Sequence, residues 1–457
     1  MPTKRVPEMR FDLDFSAPPP AMTSAAVGID RVSHRSVTAQ HRDITIFDTS
    51  DERLLRAGIV VAHRIVGGVG EWYMAAPAWH PRLPAERVEP LDATAGLPDL
   101  FSRLIKPVTR RAPLAPVAAL DCDKQEYLMR DRAGTMLGFI VDDRVTLRRG
   151  ESAVAHYREV TVTPSISMSS AQRDHVVAAL AAAGGSAVEQ FPTVQQRLGG
   201  SATGRTDFPP PTPLGRGATM EDLVTAVFAS DLLAITELLM DIERDRRPHI
   251  ASLNAQLEAV RRDLRGLAHV LEPGWRERVE GLLAGVPHQD MTDATQVAMD
   301  VVDELVREVR APKLGDVSSK EAAPLLLERA QQAALIMADR CQALTVGSSD
   351  RQWEGALGAA DMLAISAAVA GPVLGKPLRR IARRLQAVTE HLRACTAHWE
   401  NATVELGDLT AEEAYSLGRR MERGRATTLT ERGRFVALWP DRLDELRRLL
   451  AKAKKAA

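Results

Sequence analysis

Cysteine is scarce in this sequence. Only three cysteines, Cys122, Cys341 and Cys395, occur in 457 residues, and no two of them form a C-x-x-C pair. An odd number of widely spaced cysteines argues against a disulfide framework and against a cysteine-ligated zinc site. Unpaired cysteines are typical of a reducing compartment, and we predict a cytoplasmic location.

The sequence also has no excess of positive or negative charge. The chain has 59 Lys and Arg residues against 60 Asp and Glu residues, so no global field attracts nucleic acid or an anionic membrane. Neither nucleic acid nor a membrane is predicted as a partner. No apolar run approaches the roughly 20 residues that span a bilayer, and residues 1–15 lack the apolar core of a secretory leader. Any polyanion site must therefore be formed locally.

The sequence does contain enough apolar residues for sizeable cores. Hydrophobic residues make up 45% of the chain, and the length predicts about two to four domains. Residues 9–15 alternate, with Phe11 and Leu13 on one face and Asp12 and Asp14 on the other, which is typical of a half-buried strand. Short strands separated by polar turns favour an antiparallel barrel or a sandwich. The further strand-like runs are 44–48, 59–66, 71–76, 116–123, 124–130, 135–141, 143–148 and 154–163, with turn signals at Gly67-Gly68 and Asp142-Asp143.

The residue composition and the spacing of apolar residues change after residue 198. Segment 199–217, GGSATGRTDFPPPTPLGRG, is rich in Gly, Pro and Ser and is predicted to be a linker. From residue 218 the apolar period becomes 3.6, which is typical of helices. The sequence thus predicts an α+β protein with a strand domain at 1–198, a linker at 199–217 and an all-helical domain at 218–457. Helices are predicted near 170–183, 218–242, 249–271, 275–285, 291–310, 320–346, 352–370, 376–402 and 438–455, with breaks at Pro273-Gly274, Pro312, Gly347 and Gly371-Pro372.

Two stretches resemble known families. FDTSDERLLRAGIVVAHRIVGG, residues 47–68, is similar to the corner and third strand of the CYTH domain, and the order of later segments agrees over about residues 8 to 200. PVLGKPLRRIARRLQAVTEHL, residues 372–392, resembles the second half of the CHAD domain, a conserved histidine α-helical domain commonly fused behind CYTH in bacteria. The chain as a whole therefore resembles a bacterial CYTH–CHAD fusion protein.

The CYTH resemblance implies an antiparallel β-barrel, the triphosphate tunnel, whose lumen holds a triphosphate between basic side chains and carries divalent metals on acids. The family signature E-x-E-x-K falls on Asp12, Asp14 and Ser16, so two carboxylates remain and the lysine is lost. With Asp142 and Glu159, these acids are candidate ligands for Mg²⁺ or another divalent cation, because such ions take oxygen ligands. The alternative is that all four are solvated carboxylates.

Most cations of the CYTH tunnel are missing. Arg64 and Lys124 remain as candidate phosphate ligands, but Ala75 stands where a lysine is expected, and Asp121 and Asp123 align with arginines. Each charge of a triphosphate needs a nearby cation before it can leave water. One close ion pair contributes roughly 4 kcal/mol at an effective dielectric of about 20, before desolvation. We therefore predict that the tunnel does not bind triphosphate in the family's manner, and we assign no catalytic residue.

The CHAD resemblance implies paired helical units with a basic groove that binds polyphosphate. His249 matches a family histidine and is a candidate phosphate ligand. Other family positions that are usually basic hold neutral or acidic residues: Ser252, Gln256, Leu257, Glu354, Leu357, Asp361 and Met362. A basic run remains on one predicted helix and is the second candidate phosphate site: Lys376, Arg379, Arg380, Arg383 and Arg384. The alternative for this run is a solvated, charged helix face.

Three functions are compatible with these features. The favoured one is a non-catalytic binding or scaffolding protein, a pseudoenzyme of the CYTH–CHAD type that is related to polyphosphate-associated proteins. Its triphosphate and polyphosphate sites are predicted to be largely lost, and its partner is predicted to be polyphosphate or another protein. The second is a divergent metal-dependent triphosphatase, in which Asp12, Asp14, Asp142 and Glu159 hold the metal. The third is polyphosphate binding, without catalysis, through the helix at 376–384.

Overall fold

The computed structural model describes residues 7–91, 96–215, 217–245, 250–284, 291–396 and 410–455. The chain divides into two compact units. We call Met1–Pro209 with Thr236–Pro248 the sheet unit, and Pro210–Ile235 with His249–Ala457 the helical unit. The predicted α+β class is confirmed, since strands dominate the first unit and helices the second.

Ten antiparallel strands form one sheet in the sheet unit. They are β1 Met9–Leu13, β2 Arg31–His34, β3 Gln40–Asp48, β4 Val60–Val66, β5 Val69–Ala75, β6 Glu86–Pro90, β7 Ala115–Arg130, β8 Met136–Arg149, β9 Ser152–Pro164 and β10 Ser186–Val188. Their order is β10-β1-β9-β8-β7-β3-β4-β5-β6, and β2 also pairs with β7. A barrel requires its two edge strands to pair. Within the described ranges β10 and β6 do not, so the predicted barrel is corrected to an open antiparallel sheet.

Strands β7 and β8 each join two of the predicted strands. The turn predicted at Asp142-Asp143 was wrong, because β8 continues through both residues. Their side chains lie on opposite faces of the sheet, and each has an arginine partner, Arg158 for Asp142 and Arg42 for Asp143. Two adjacent acids therefore do not interrupt the strand. The sequence also missed β2, β6 and β10, which are short and largely polar.

The two faces of the sheet bury different cores. One face packs against a helix of the same unit, α3 (Ser170–Ala182), and we call it the helix face. Its buried side chains include Phe11, Leu13, Ile140 and Val160, with Val176 and Leu180 of that helix. The opposite face, which we call the site face, buries Ile46, Ala62, Cys122, Val145 and Tyr157. Strand alternation thus sends two sets of residues to two separate environments.

The corner at residues 47–58 forms a single helical turn, α1 (Arg53–Arg56). Asp48 is fully buried at the end of β3. Its carboxylate accepts hydrogen bonds from the backbone N–H groups of Thr49, Leu54 and Leu55 at 2.6, 2.9 and 2.8 Å. The Phe-Asp-Thr stretch at residues 47–49 therefore fixes the chain direction after β3, which is a structural role.

The predicted linker is anchored over its first half. Asp207 is 2% exposed and binds Arg56 at 3.0 Å and Arg110 at 2.8 Å. Phe208 packs edge-on against the ring of Trp79. Residues as far as Pro209 consequently belong to the sheet unit.

Most of the predicted helices lie close to their expected positions. The remaining α-helices are α2 Asp99–Thr109, α4 Val194–Leu198, α5 Met220–Asp245, α6 Ile250–Leu267, α7 Pro273–Ala284, α8 Met291–Arg310, α9 Ala322–Gln342, α10 Asp350–Leu374, α11 Lys376–Cys395 and α12 Ala411–Lys454. Two boundaries are corrected. Helix α10 runs through Gly371-Pro372 and ends at Gly375, whose φ of 74° favours glycine. Helix α12 begins at Ala411, well before the predicted residue 438.

Helices α5 and α10 are long and apolar enough to cross a bilayer by length and composition alone. In each, 61% of the most apolar window is buried inside the protein. Core helices of folded domains have the same property, so these two segments are weak evidence for a membrane span.

Candidate functional site

A row of residues that are paired directly across four neighbouring strands crosses the site face of the sheet. It contains several of the predicted site residues. Lys124 on β7 pairs with Asp143 on β8, which pairs with Glu159 on β9, which pairs with Asp12 on β1. Residues paired directly across antiparallel strands share a face. The fold thus brings together Asp12, Glu159 and Lys124 and adds Asp143, which the sequence analysis did not include among the metal ligands.

An arginine from another element occupies the place between two of these acids. Arg197 on α4 contacts Asp12 at 2.9 Å and Glu159 at 3.3 Å. Its guanidinium lies 4.0 Å from the ring centroid of Tyr157. Arg197 was not among the residues predicted from the sequence, because α4 has only five residues. The signal that could have found it is the capping pattern T-x-x-Q at residues 193–196, which forms a capping box at the start of α4.

The third acid of the row has its own arginine. Arg42 on β3 forms a short ion pair with Asp143. Burial raises the pKa of the Asp143 carboxyl, although Arg42 acts in the opposite direction. Burial likewise raises the pKa of Glu159 against the opposing effect of Arg197. These carboxylates are therefore held in a partly dehydrated environment by protein cations.

The two predicted phosphate ligands of the sheet unit are also paired. Lys124 lies 3.3 Å from Glu126, which Arg35 contacts at 3.2 Å. Arg64 binds Glu71 at 2.6 Å and stacks on the ring of Tyr73, 3.9 Å from its centroid. Neither cation is available to a phosphate without separation from a carboxylate.

The other two predicted metal ligands lie apart from the row. Asp14 accepts hydrogen bonds from the backbone and hydroxyl of Ser16, and these bonds lower its pKa. Asp142 lies on the helix face, 6% exposed, where Arg158 binds it with two hydrogen bonds of 2.7 and 2.6 Å. The fold therefore does not bring the four acids to one point.

The charges on this part of the site face balance. Four cations stand against four carboxylates: Arg35, Arg42, Lys124 and Arg197 against Asp12, Glu126, Asp143 and Glu159. A triphosphate would have to displace these carboxylates or add its own charge to a neutral network. Both are unfavourable in a partly buried site.

The helical unit contains a different kind of site. A groove of about 540 Å³ between α11 and α12 is lined by Arg380, Arg383, Arg384, Glu445, Arg448, Leu449 and Lys452. Five of these side chains are cationic and one is acidic. Leu378, Ile381 and Leu385 bury the opposite side of α11, so its arginines are directed away from the core.

The groove combines predicted and unpredicted residues. Arg380, Arg383 and Arg384 line it as the sequence suggested, whereas Lys376 and Arg379 are exposed on the same helix without lining it. Arg448 and Lys452 on α12 were missed. Their i, i+4 spacing matches that of Arg380 and Arg384 and was visible in the sequence, but only packing shows that the two helices face each other. His249 lies outside the described residues.

One pair of neighbouring acids in the helical unit, of which one is buried and the other half-buried, has no role in that groove. Asp231 on α5 is 6% exposed and accepts a hydrogen bond of 3.0 Å from Gln256. The carboxyl group of Asp263 on α6 lies close enough for its charge to act on Asp231. Burial raises the pKa of both carboxyl groups, and the mutual interaction raises that of Asp231 further. The pair therefore retains a proton more strongly than two isolated aspartates.

Asp231→Asn is expected to remove a pH dependence from the stability of the helical unit. Between the ordinary aspartate pKa of about 3.9 and the raised folded-state value, the folded protein binds more protons than the unfolded chain. Stability is then greatest in acid and falls as pH rises through this window, by up to about 1.4 kcal/mol per pH unit for each extra proton. Asparagine supplies a permanent N–H donor, so the variant should gain stability near pH 8.

Urea denaturation followed by circular dichroism at several pH values between 5 and 8 measures this effect. Asp441→Asn, an exposed site on α12, is the control and should keep the slope of the unaltered protein. An unchanged slope in Asp231→Asn would mean that the acid pair is not protonated in the folded state.

No family model matches the sequence, and no curated protein matches it. The resemblance to CYTH and CHAD domains therefore stays a prediction from sequence motifs.

Proposed function

We propose that this chain is a non-catalytic binding protein of the CYTH–CHAD type, whose helical unit holds a polyphosphate-like chain in the groove between α11 and α12. The excess of five cations over one acid in that groove carries the proposal. A linear polyanion fits such a site because each phosphate meets an arginine or lysine that has few competing carboxylates nearby. Among the described residues, Arg384 is the lining cation that forms an ion pair within the groove, 3.0 Å from Glu445.

The sheet unit supports the absence of catalysis in this proposal. Triphosphate hydrolysis depends on cations and a metal that stabilise charge in the transition state. Arg197 and Arg42 instead form ion pairs with carboxylates that would bind the metal. Arg64 and Lys124 form ion pairs with glutamates. We assign the sheet unit a structural or partner-binding role.

The second candidate remains a divergent triphosphatase that uses Mg²⁺ or another divalent cation. The observation in its favour is the row of Asp12, Glu159 and Asp143 on adjacent strands. It requires Arg197 to leave this row before a metal can bind.

We also propose that the protein is cytoplasmic. Cys122, Cys341 and Cys395 are all buried as free thiols, and burial raises the pKa of each. Buried thiols that stay reduced are consistent with a reducing compartment.

Removing three groove cations is expected to weaken polyphosphate binding by about three- to a hundredfold. The variant combines Arg380→Gln, Arg383→Gln and Arg448→Gln. Each exposed charge contact contributes roughly 0.2–1 kcal/mol, and every 1.4 kcal/mol is a factor of ten. Titration of the full-length protein with long-chain polyphosphate at low and at high salt measures the loss, and binding by the unaltered protein should weaken as salt increases.

The matched control removes three exposed arginines of α12 that do not line the groove, by Arg419→Gln, Arg434→Gln and Arg447→Gln. It should bind nearly as tightly as the unaltered protein. Equal losses in the two triple variants would show a non-specific charge effect and would remove the groove from the proposal.

The same preparation tests catalysis. With Mg²⁺ or Mn²⁺ we expect no release of phosphate from tripolyphosphate. Release that disappears in a variant with Asp12→Ala and Asp14→Ala would establish the second candidate instead.

A further inference from the structure

A cluster of one histidine and two aspartates lies outside both sites described above. His41 and Asp43 are two residues apart on β3, and Asp121 on β7 pairs directly with Asp43. All three belong to the helix face, in a part of it that is open to solvent, where their side chains are between 48% and 59% exposed. One ligand atom from each side chain lies within 4.8 Å of the other two.

The charge around this cluster is unusual for the sheet. Like charges directly opposite each other on neighbouring strands are destabilising. On the site face, each acid of the row is paired with an arginine. By contrast, in the parts of the chain that the structure describes, Asp43 and Asp121 form ion pairs with His41 alone.

No other side chain in the immediate register supplies the missing charge. Asp123 pairs with His41 across the strands and adds a further carboxylate, and Arg144 opposite it makes no ion pair with the cluster among the described side chains. Arg42 projects to the site face, where it binds Asp143. An external cation would therefore relieve a repulsion that the protein leaves in place.

The spacing suits a small ion. His41 lies 3.4 Å from Asp43 through Nε2 and 3.6 Å from Asp121 through Nδ1. These two distances start from different nitrogens of the ring, and one ligand atom from each residue lies within 4.8 Å of the other two. Two ligands that are each about 2.0–2.2 Å from a tetrahedral ion lie roughly 3.3–3.6 Å apart, so small side-chain rotations would bring the three ligands to one ion. A single ring nitrogen would serve as ligand, and an exposed imidazole can rotate to present it at little cost.

The donor set distinguishes among metals. Imidazole nitrogen with carboxylate oxygen suits zinc and other first-row transition metals, whereas Mg²⁺ is usually held by oxygen ligands and water. We propose that His41, Asp43 and Asp121 form a surface binding site for Zn²⁺, with a fourth position open to water or to a ligand from outside the triad. The ion would link β3 to β7 at their exposed face.

The experiment uses the full-length protein. Titration with Zn²⁺ in competition with a chromophoric chelator is expected to reveal one site per chain, and Co²⁺ bound at the same site should give the visible absorption of a tetrahedral or five-coordinate ion. A large excess of Mg²⁺ should not displace Zn²⁺. Binding should weaken in acid, because the ligands must lose their protons.

Three variants and one control locate the site. His41→Ala, Asp43→Asn and Asp121→Asn should each lower the Zn²⁺ affinity at least tenfold. His156→Ala, which removes another exposed histidine of the helix face, should leave it unchanged. Circular dichroism checks that each variant is folded, and the two Asp→Asn changes preserve size.

The proposal is overturned if Zn²⁺ does not bind, if it binds equally well to all three variants, or if Mg²⁺ displaces it. None of these results bears on polyphosphate binding, which is measured at the helical groove in the absence of added metal.

Discussion

Asp142→Ala is expected to destabilise the sheet unit by about 3–5 kcal/mol, because it leaves Arg158 buried without a counter-charge. The two side chains are 9% and 3% exposed, and Arg158 donates two hydrogen bonds to Asp142 and a third, of 2.9 Å, to the carbonyl of Ala17. Desolvated guanidinium is far less stable without its carboxylate than with it. A loss of this size is a large fraction of the stability of a typical domain.

A double variant separates the ion pair from packing. Asp142→Leu with Arg158→Met replaces both charges by apolar groups of similar volume, and we expect it to recover most of the lost stability. Urea denaturation, together with hydrogen exchange of the β8 and β9 amides, reports on this part of the sheet. Glu8→Ala, which removes the exposed ion pair with Arg10, is the control and should cost less than about 1 kcal/mol. A small effect of Asp142→Ala would mean that water reaches Arg158.

Asp48→Ala is expected to cost about 3 kcal/mol or more. Its carboxylate accepts hydrogen bonds from three backbone N–H groups, and Leu54 and Leu55, which carry two of them, are 0% and 2% exposed. Each buried donor that loses its partner costs roughly 1–3 kcal/mol. The corner that connects β3 to β4 would therefore lose the group that fixes it.

Asp48→Asn is the informative comparison. Burial raises the pKa of Asp48, although its backbone hydrogen bonds act in the opposite direction, so the charge itself is not the stabilising feature. Asparagine retains one acceptor oxygen and should cost clearly less than alanine. Thermal unfolding of the two variants measures the difference. Equal losses would show that the negative charge, and not the acceptor geometry, holds the corner.

Local patterns in the sequence were sufficient for many elements of the fold. Alternation identified β1 and the strands around the glycine turn at residues 67–68, and the 3.6-residue period identified most helices of the second unit. They failed where partners elsewhere in the chain change the local preference. The local sequence alone indicates a turn at the consecutive acids 142–143. Strand β8 nevertheless continues, because arginines from β9 and β3 neutralise both acids.

The candidate sites were predicted to different extents. The sequence identified Arg380, Arg383 and Arg384 as one basic face, and the structure adds two cations of α12 to the same groove. It grouped Asp142 with Asp12 and Glu159, but the pairing of the strands places Asp142 on the helix face and the other two acids on the site face. Arg197, which neutralises two of these acids, comes from a short helix that no long pattern reveals.

The sequence by itself determined the α+β class and the change from strands to helices near residue 200. The tertiary structure alone decided which of the remaining charges meet. Periodicity records the spacing along one element, whereas an ion pair or a groove depends on the packing of elements that are far apart in the chain. For this reason the row acids Asp12, Asp143 and Glu159 are bound to arginines, and the arginines of α11 lie beside those of α12.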